Sequence, residues 1–339
     1  MISLVSLLIE GGWASSLTQD TKLTPGVVKQ CVGLYKKFVS DFNKFLKSKD
    51  EIEVEEGEPI GSAHYYERDA KETPDKEYGD VDMLFYIPRI EGMTDNANKN
   101  KYKEYIKEFL QGKDTVQTDN GNFLIFKLPD GGYAQIDLVM AYSDSKDWAR
   151  GRMTPERGLK GAIGGTLYSS LAEVLDLSIN ISGVEAKVKD GVPVSFRRGK
   201  IDRIDTVSRD ISKFGLDICK YYYKVITGKD PKGMKVSPGL KKNPGMDPKN
   251  VRNEDIALMV KGIGDTMEMN GLFGKANLSG IESYSDFINQ VSQVYREKMM
   301  AGIESSKFEK ASGAEGERKA KEAKEKLTKG MEQVLQYLK

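Results

Sequence analysis

Two aspartates one residue apart open a hydrophobic run, Gly79-Asp80-Val81-Asp82-Met83-Leu84-Phe85-Tyr86-Ile87-Pro88. In an extended chain, residues two apart project to the same face, so the two carboxylates point together and Val81 points away. Asp disfavours a well-bonded strand and like charges repel, so the pair calls for a compensating charge; a hard divalent cation supplies one. A third acid, Asp137, sits inside Tyr133-Ala-Gln-Ile-Asp-Leu-Val-Met140. There Ile136, Leu138 and Met140 share one face, and Gln135 and Asp137 share the other. A buried mid-strand carboxylate is costly without a partner, and an ion shared with Asp80 and Asp82 removes that cost. Upstream, Gly61-Ser62 follows a short apolar stretch, and two small residues let backbone N–H groups approach a phosphate. Each signal alone has a plain alternative: a solvated loop end, a half-exposed strand, an ordinary loop dipeptide. Together and in this order they suit metal-assisted chemistry on a phosphorylated substrate.

Other chemistries find little material. The 339 residues hold one histidine, His64, and two cysteines, Cys31 and Cys219. Neither cysteine has C-x-x-C or zinc-site spacing, and no G-x-S-x-G elbow accompanies the histidine. Lys plus Arg (52) balances Asp plus Glu (51), so net charge alone names no polyanionic partner. A composition 39% hydrophobic and 30% charged is that of a soluble globular protein, long enough for two domains or for one large domain with a substantial core. The apolar start, Met1 to Ile9, is too short to span a bilayer and has no basic leader; it reads as a short helix stopped by Gly11-Gly12. The expectation is a cytosolic protein with no membrane partner.

The elements that must position these residues can be read in outline. Thr24 as N-cap and Pro25 at the first position begin a helix to about Leu46, with Val28, Cys31, Val32, Tyr35, Phe38, Val39, Phe42, Phe45 and Leu46 as its apolar stripe. Glu51 to Glu58 is an acidic segment, and residues 63 to 79 read as a helical turn plus a loop. Val81 to Ile87 fits a strand. Lys99 to Leu110 fits an amphipathic helix with Tyr102, Tyr105, Ile106, Phe109 and Leu110 inward. Asn122 to Leu128 and Tyr133 to Met140 form a hairpin about Pro129-Asp130-Gly131-Gly132. Beyond Met140 the chain turns helical: residues 165 to 176, most of Ile201 to Val225, and Glu254 to the end. A short hairpin is expected around Lys189-Asp190-Gly191, and Gly228 to Asn253 reads as a loop or linker. The last helix carries a narrow seam of Leu327, Met331, Val334, Leu335 and Leu338.

With those residues in place, the chain resembles the DNA polymerase β nucleotidyltransferase superfamily. The resemblance rests on Gly61-Ser62, on Tyr78-Gly79-Asp80-Val81-Asp82 through Pro88, and on Ile136-Asp137-Leu138-Val139; it covers about residues 55 to 175. It implies an α+β fold: a palm with a mixed or antiparallel sheet and flanking helices over 1–150, then a mostly helical domain over 151–339. It also implies two Mg²⁺ or Mn²⁺ ions, with Asp80 and Asp82 holding both and Asp137 holding the one at the acceptor hydroxyl. Gly61 and Ser62 then take the β- and γ-phosphates of an NTP or dNTP. Gly164-Gly165-Thr166 is similar to the segment near the nucleotide sugar, which assigns Gly165 to nucleotide binding. The stretch from Ser62 to Asp80 is longer than usual for that superfamily, and His64, Tyr65 and Tyr66 stand where a basic residue is usual, so Arg68 is the substitute.

The implied acceptor is a polynucleotide 3′-hydroxyl, of DNA or tRNA. A local excess of Lys and Arg from Lys229 to Arg252, extended by Arg197, Arg198, Lys200 and Arg203, could follow its backbone. A cyclic-dinucleotide or oligoadenylate synthase, a transferase acting on a protein or small molecule, and a catalytically silent nucleic-acid-binding module remain as alternatives.

Overall fold

The computed structural model describes residues 21–113, 116–118, 120–153, 159–194, 202–242, 251–275, 278, 280–304 and 314–339. The expected helix at Met1 to Ile9 lies outside them. Two compact units divide after Arg150.

The first unit opens with α1 (Pro25–Ser48), capped by the Thr24 side chain, which accepts from the Val27 N–H. Its stripe of Val28, Cys31, Tyr35, Phe38, Val39, Phe42 and Leu46 is buried. Burying each large apolar side chain contributes roughly 1.5–3 kcal/mol. The stripe lies on a sheet of β1 (Glu55–Ile60), β2 (Asp82–Ile87), β3 (Val116–Gln117), β4 (Phe123–Lys127) and β5 (Tyr133–Tyr142), in the order β1-β2-β5-β4-β3. β2 and β5 run parallel, and every other pair is antiparallel. Met83, Phe85, Ile87, Ile136, Leu138 and Met140 share the core with α1. A second helix, α2 (Tyr66–Glu72), follows the 3-10 turn Gly61–Tyr65, and α3 (Asp95–Leu110) follows β2. Phe38, Phe42, Phe85 and Phe109 join α1, β2 and α3, with ring centroids 5.5–6.4 Å apart.

Two departures from the sequence reading fall here. The acidic segment holds a strand, β1, and α3 starts four residues early because Thr94 caps it, accepting from the Ala97 N–H. β1 binds β2 through a bulge between Glu56 and Pro59. A Cβ on Gly57 would lie 2.3 Å from the Leu84 carbonyl oxygen, so this approach requires glycine. Tyr35 bridges the bulge: its hydroxyl donates to the Leu84 carbonyl (2.7 Å) and accepts from the Gly57 N–H (3.4 Å).

From α4 (Lys146–Met153) the chain enters the second unit. That unit is mainly helical: α5 (Leu159–Val174), α6 (Phe214–Thr227), α7 (Pro238–Lys242), α8 (Asn253–Met269), α9 (Tyr284–Ile303) and α10 (Ala314–Leu338). The seam of α10 is buried as expected and packs on α5, α8 and α9. The unit also carries a sheet: β7 (Gly183–Lys189) pairs antiparallel with β6 (Leu177–Asn180), β8 (Val192–Val194) and β9 (Arg203–Ser208). The β7–β8 hairpin turns through Asp190 and Gly191, both at positive φ. β9 corrects the expected helix from Ile201, since helical structure begins only at Phe214. The stop is local: the Asp210 side chain accepts from the Ser212 N–H and hydroxyl, which turns the chain before α6. The expected linker from Gly228 contains α7, with residues 243–250 outside the described set. Among the described residues no helix is long and apolar enough to cross a membrane.

Candidate functional site

The parallel pairing of β2 with β5 sets Asp82 directly opposite Asp137. Their inward neighbours, Met83 and Leu138, belong to the core, so both carboxylates occupy the opposite face of the sheet. The Asp137 N–H donates to the Val81 carbonyl (2.9 Å), fixing the ladder between the first two acids. Asp80 lies just before β2, and Val81 between the two is buried in the core.

The three charges feel one another. Burial, and then the Asp137 charge, pushes the Asp80 carboxyl up to about 6. Burial, with Asp80 and Asp137 behind it, pushes Asp82 well above the usual carboxylate range. Among the described residues no three His, Cys, Asp or Glu side chains stand close enough together to hold an ion. Asp82 and Asp137 thus share a face, and all three acids share a field, rather than a finished coordination sphere.

β1 delivers the small-residue turn to the same place. Ile60 pairs with Asp82, and the chain then breaks into the 3-10 turn at Gly61. Gly61 has φ +61°, and a Cβ there would sit 3.5 Å from the Asp82 Oδ2. Ser62 follows, half-buried. The His64 Nδ1 lies 3.1 Å from the Pro59 carbonyl, so the tautomer with Nδ1–H donates and ties the turn to β1.

Arg68 lies on α2, just after that turn. It stacks over Tyr65 (4.6 Å) and faces Glu72 and Asp69 at 3.7 and 3.6 Å, across α2. Gly165 belongs to the second unit, on α5, where a Cβ would lie 3.6 Å from a terminal nitrogen of Arg152. Of the basic residues, Lys229, Lys232, Lys235 and Lys241 are exposed, whereas Arg203 pairs with Asp205 and Arg252 with Asp255. Arg197, Arg198 and Lys200 lie outside the described residues.

Two supports escaped the sequence reading. The Gln135 amide donates to the Asp137 Oδ1 at 2.6 Å; the period-two pattern placed both on one face, which was the available signal. The loop into Asp80 is moored by Asp69, buried at 1% exposure, which accepts from the Tyr78 hydroxyl (2.8 Å) and the Lys76 ammonium (2.5 Å). Burial pushes the Asp69 carboxyl up, but these bonds outweigh it and hold the group below its ordinary value. The Tyr78 N–H also donates to the Leu23 carbonyl, just ahead of α1. No local pattern marks Asp69 for this role.

No protein-family model matches the chain, and no curated protein does. Among solved structures it is similar to polymerase beta of Leishmania infantum in two ternary complexes. Against the P/T complex the identity is 15% and the TM-score 0.32, over 49% of this chain and 58% of that one. Against the gap complex the identity is 13% and the TM-score 0.32, over 80% and 68%. A likeness this distant assigns no residue a role, and the carboxylate face rests on its own geometry.

Proposed function

We propose that the chain is a divalent-metal-dependent nucleotidyltransferase. The observation that carries this reading is the register of Asp82 opposite Asp137, with Asp80 beside them and the Gly61-Ser62 turn abutting Asp82. Two acids on one face with a third coupled to them, two of the three pushed toward the protonated form, would draw together around a hard cation such as Mg²⁺ or Mn²⁺. Asp80, Asp82 and Asp137 would hold the metal, which when bound neutralises charge on the phosphates and lowers the pKa of an acceptor hydroxyl.

The chain's own groups do the rest. Gly61 and Ser62 offer backbone N–H groups and a hydroxyl to the β- and γ-phosphates, and glycine leaves the approach clear of a side chain. The acceptor oxygen bonds to the α-phosphorus, the bond to the pyrophosphate oxygen breaks, and pyrophosphate leaves. Asp137 receives the acceptor proton. Gln135 keeps Asp137 oriented for that transfer. The exposed lysines between Lys229 and Lys241 favour a polynucleotide acceptor.

Incubation with Mg²⁺ or Mn²⁺ and each labelled NTP or dNTP, with and without DNA or tRNA, tests the proposal. Label entering a polynucleotide supports it as stated. A phosphatase-resistant small product or a labelled protein keeps the chemistry but changes the acceptor. No incorporation with any nucleotide contradicts it.

A further inference from the structure

Arg152, near the end of α4, is a cation with no carboxylate partner among the described residues. Its Nε is shut off from solvent and has no hydrogen-bond acceptor. Among the described residues no Asp or Glu forms an ion pair with it, and burial lowers its pKa. The guanidinium carbon lies 4.8 Å from the centroid of the Tyr168 ring, a contact that uses the face of the group and not its N–H donors. Gly165 lies three residues before Tyr168 on α5, and a Cβ there would lie 3.6 and 3.8 Å from the two terminal nitrogens. Glycine therefore places no side chain over them. A planar guanidinium whose Nε–H lacks an acceptor matches an oxyanion in two-point contact.

We infer that Arg152, backed by Tyr168 and bordered by Gly165, is a binding subsite for a phosphate group, of a nucleotide or of a polynucleotide backbone. That the ligand is a phosphate rests on the reading proposed above; that the site takes an oxyanion rests on Arg152 alone. Leaving a buried guanidinium unpaired weakens the free protein, and filling the site restores what is lost.

Arg152→Met and Arg152→Lys test this in EDTA, where neither turnover nor metal enters. The probes are inorganic tripolyphosphate and a short single-stranded oligonucleotide, read by binding and by thermal unfolding. Removing a charged hydrogen-bonding partner should weaken binding about tenfold or more. R152M should lose that binding for at least one probe, R152K should keep part of it, and R152M without probe should unfold at a higher temperature than wild type. Loss confined to tripolyphosphate assigns the site to the nucleotide, and loss confined to the oligonucleotide assigns it to the backbone. Unchanged binding of both probes, no binding of either by wild type, or a lower unfolding temperature for R152M overturns the inference. Inactivity of the carboxylate variants bears on the transfer reaction and leaves this result untouched.

Discussion

Asp82 and Asp137 stand opposite one another on the parallel strands β2 and β5, both turned away from the core that α1 covers. Two acids so placed repel, and Asp80 adds a third charge. The fold spends stability to keep them there, and that cost is measurable.

Asp80→Asn is expected to stabilise the metal-free protein at neutral pH. The folded-state pKa of about 6 stands above the ordinary 3.8, so the folded form keeps a proton that the unfolded form releases. Its contribution is therefore most favourable below the unfolded value, declines as pH rises through about 6, and stays low above it. One pKa unit corresponds to about 1.4 kcal/mol, so the gain at pH 7 is at most about 3 kcal/mol. Urea unfolding at pH 4 and pH 7 checks it. An Asn variant less stable than wild type at pH 7 contradicts the charge-crowding account.

Tyr35→Phe should weaken the first unit by about 1–3 kcal/mol, because it leaves the Leu84 carbonyl and the bulge N–H of Gly57 without their shared hydroxyl. Chemical denaturation measures the change. A loss within error of zero means the bulge does not depend on Tyr35.

Asp69→Asn should unmoor the loop that leads into Asp80. It keeps an acceptor for Tyr78 but removes the charge that pairs with Lys76. The folded-state pKa of Asp69 is lowered, so its stabilisation is present above the unfolded value and lost as pH falls through the folded one. The variant should therefore show a shallower stability loss on acidification, together with a lower kcat. Wild-type pH dependence and wild-type kcat in the variant would place the network outside the site's support.

Gln135→Leu should lower kcat with little change in the KM for nucleotide, since it removes the amide donor to Asp137 Oδ1 without touching the Gly61-Ser62 turn. Gln135→Glu should be worse, adding a fourth negative charge. An effect confined to KM would contradict the orienting role.

How far the sequence speaks depends on how local each cause is. That Asp82 and Asp137 face away from the core is legible because a strand's period of two is written in the residues themselves. The α1 stripe was legible for the same reason at helical spacing, though nothing in it reveals that Tyr35 also closes a bulge 49 residues away. β1 was hidden: Glu55, Glu56 and Glu58 look like a solvated acidic run, and their partners Lys146, Lys36 and Arg150 are distant in sequence. Gly57 explains itself only once Leu84 is beside it. By composition the strand β9 reads as part of the helix after it, although Ser208, Asp210 and Ser212 spell a turn.

Manganese binding gives the most direct test of the carboxylate centre. Titration of Mn²⁺ into wild type, Asp82→Asn and Asp137→Asn, each with a non-hydrolysable nucleoside triphosphate, should show an ion held by wild type. Each variant should bind it at least about tenfold more weakly while keeping a native circular dichroism spectrum. Equal affinity in all three proteins, or no binding by wild type, would contradict the account.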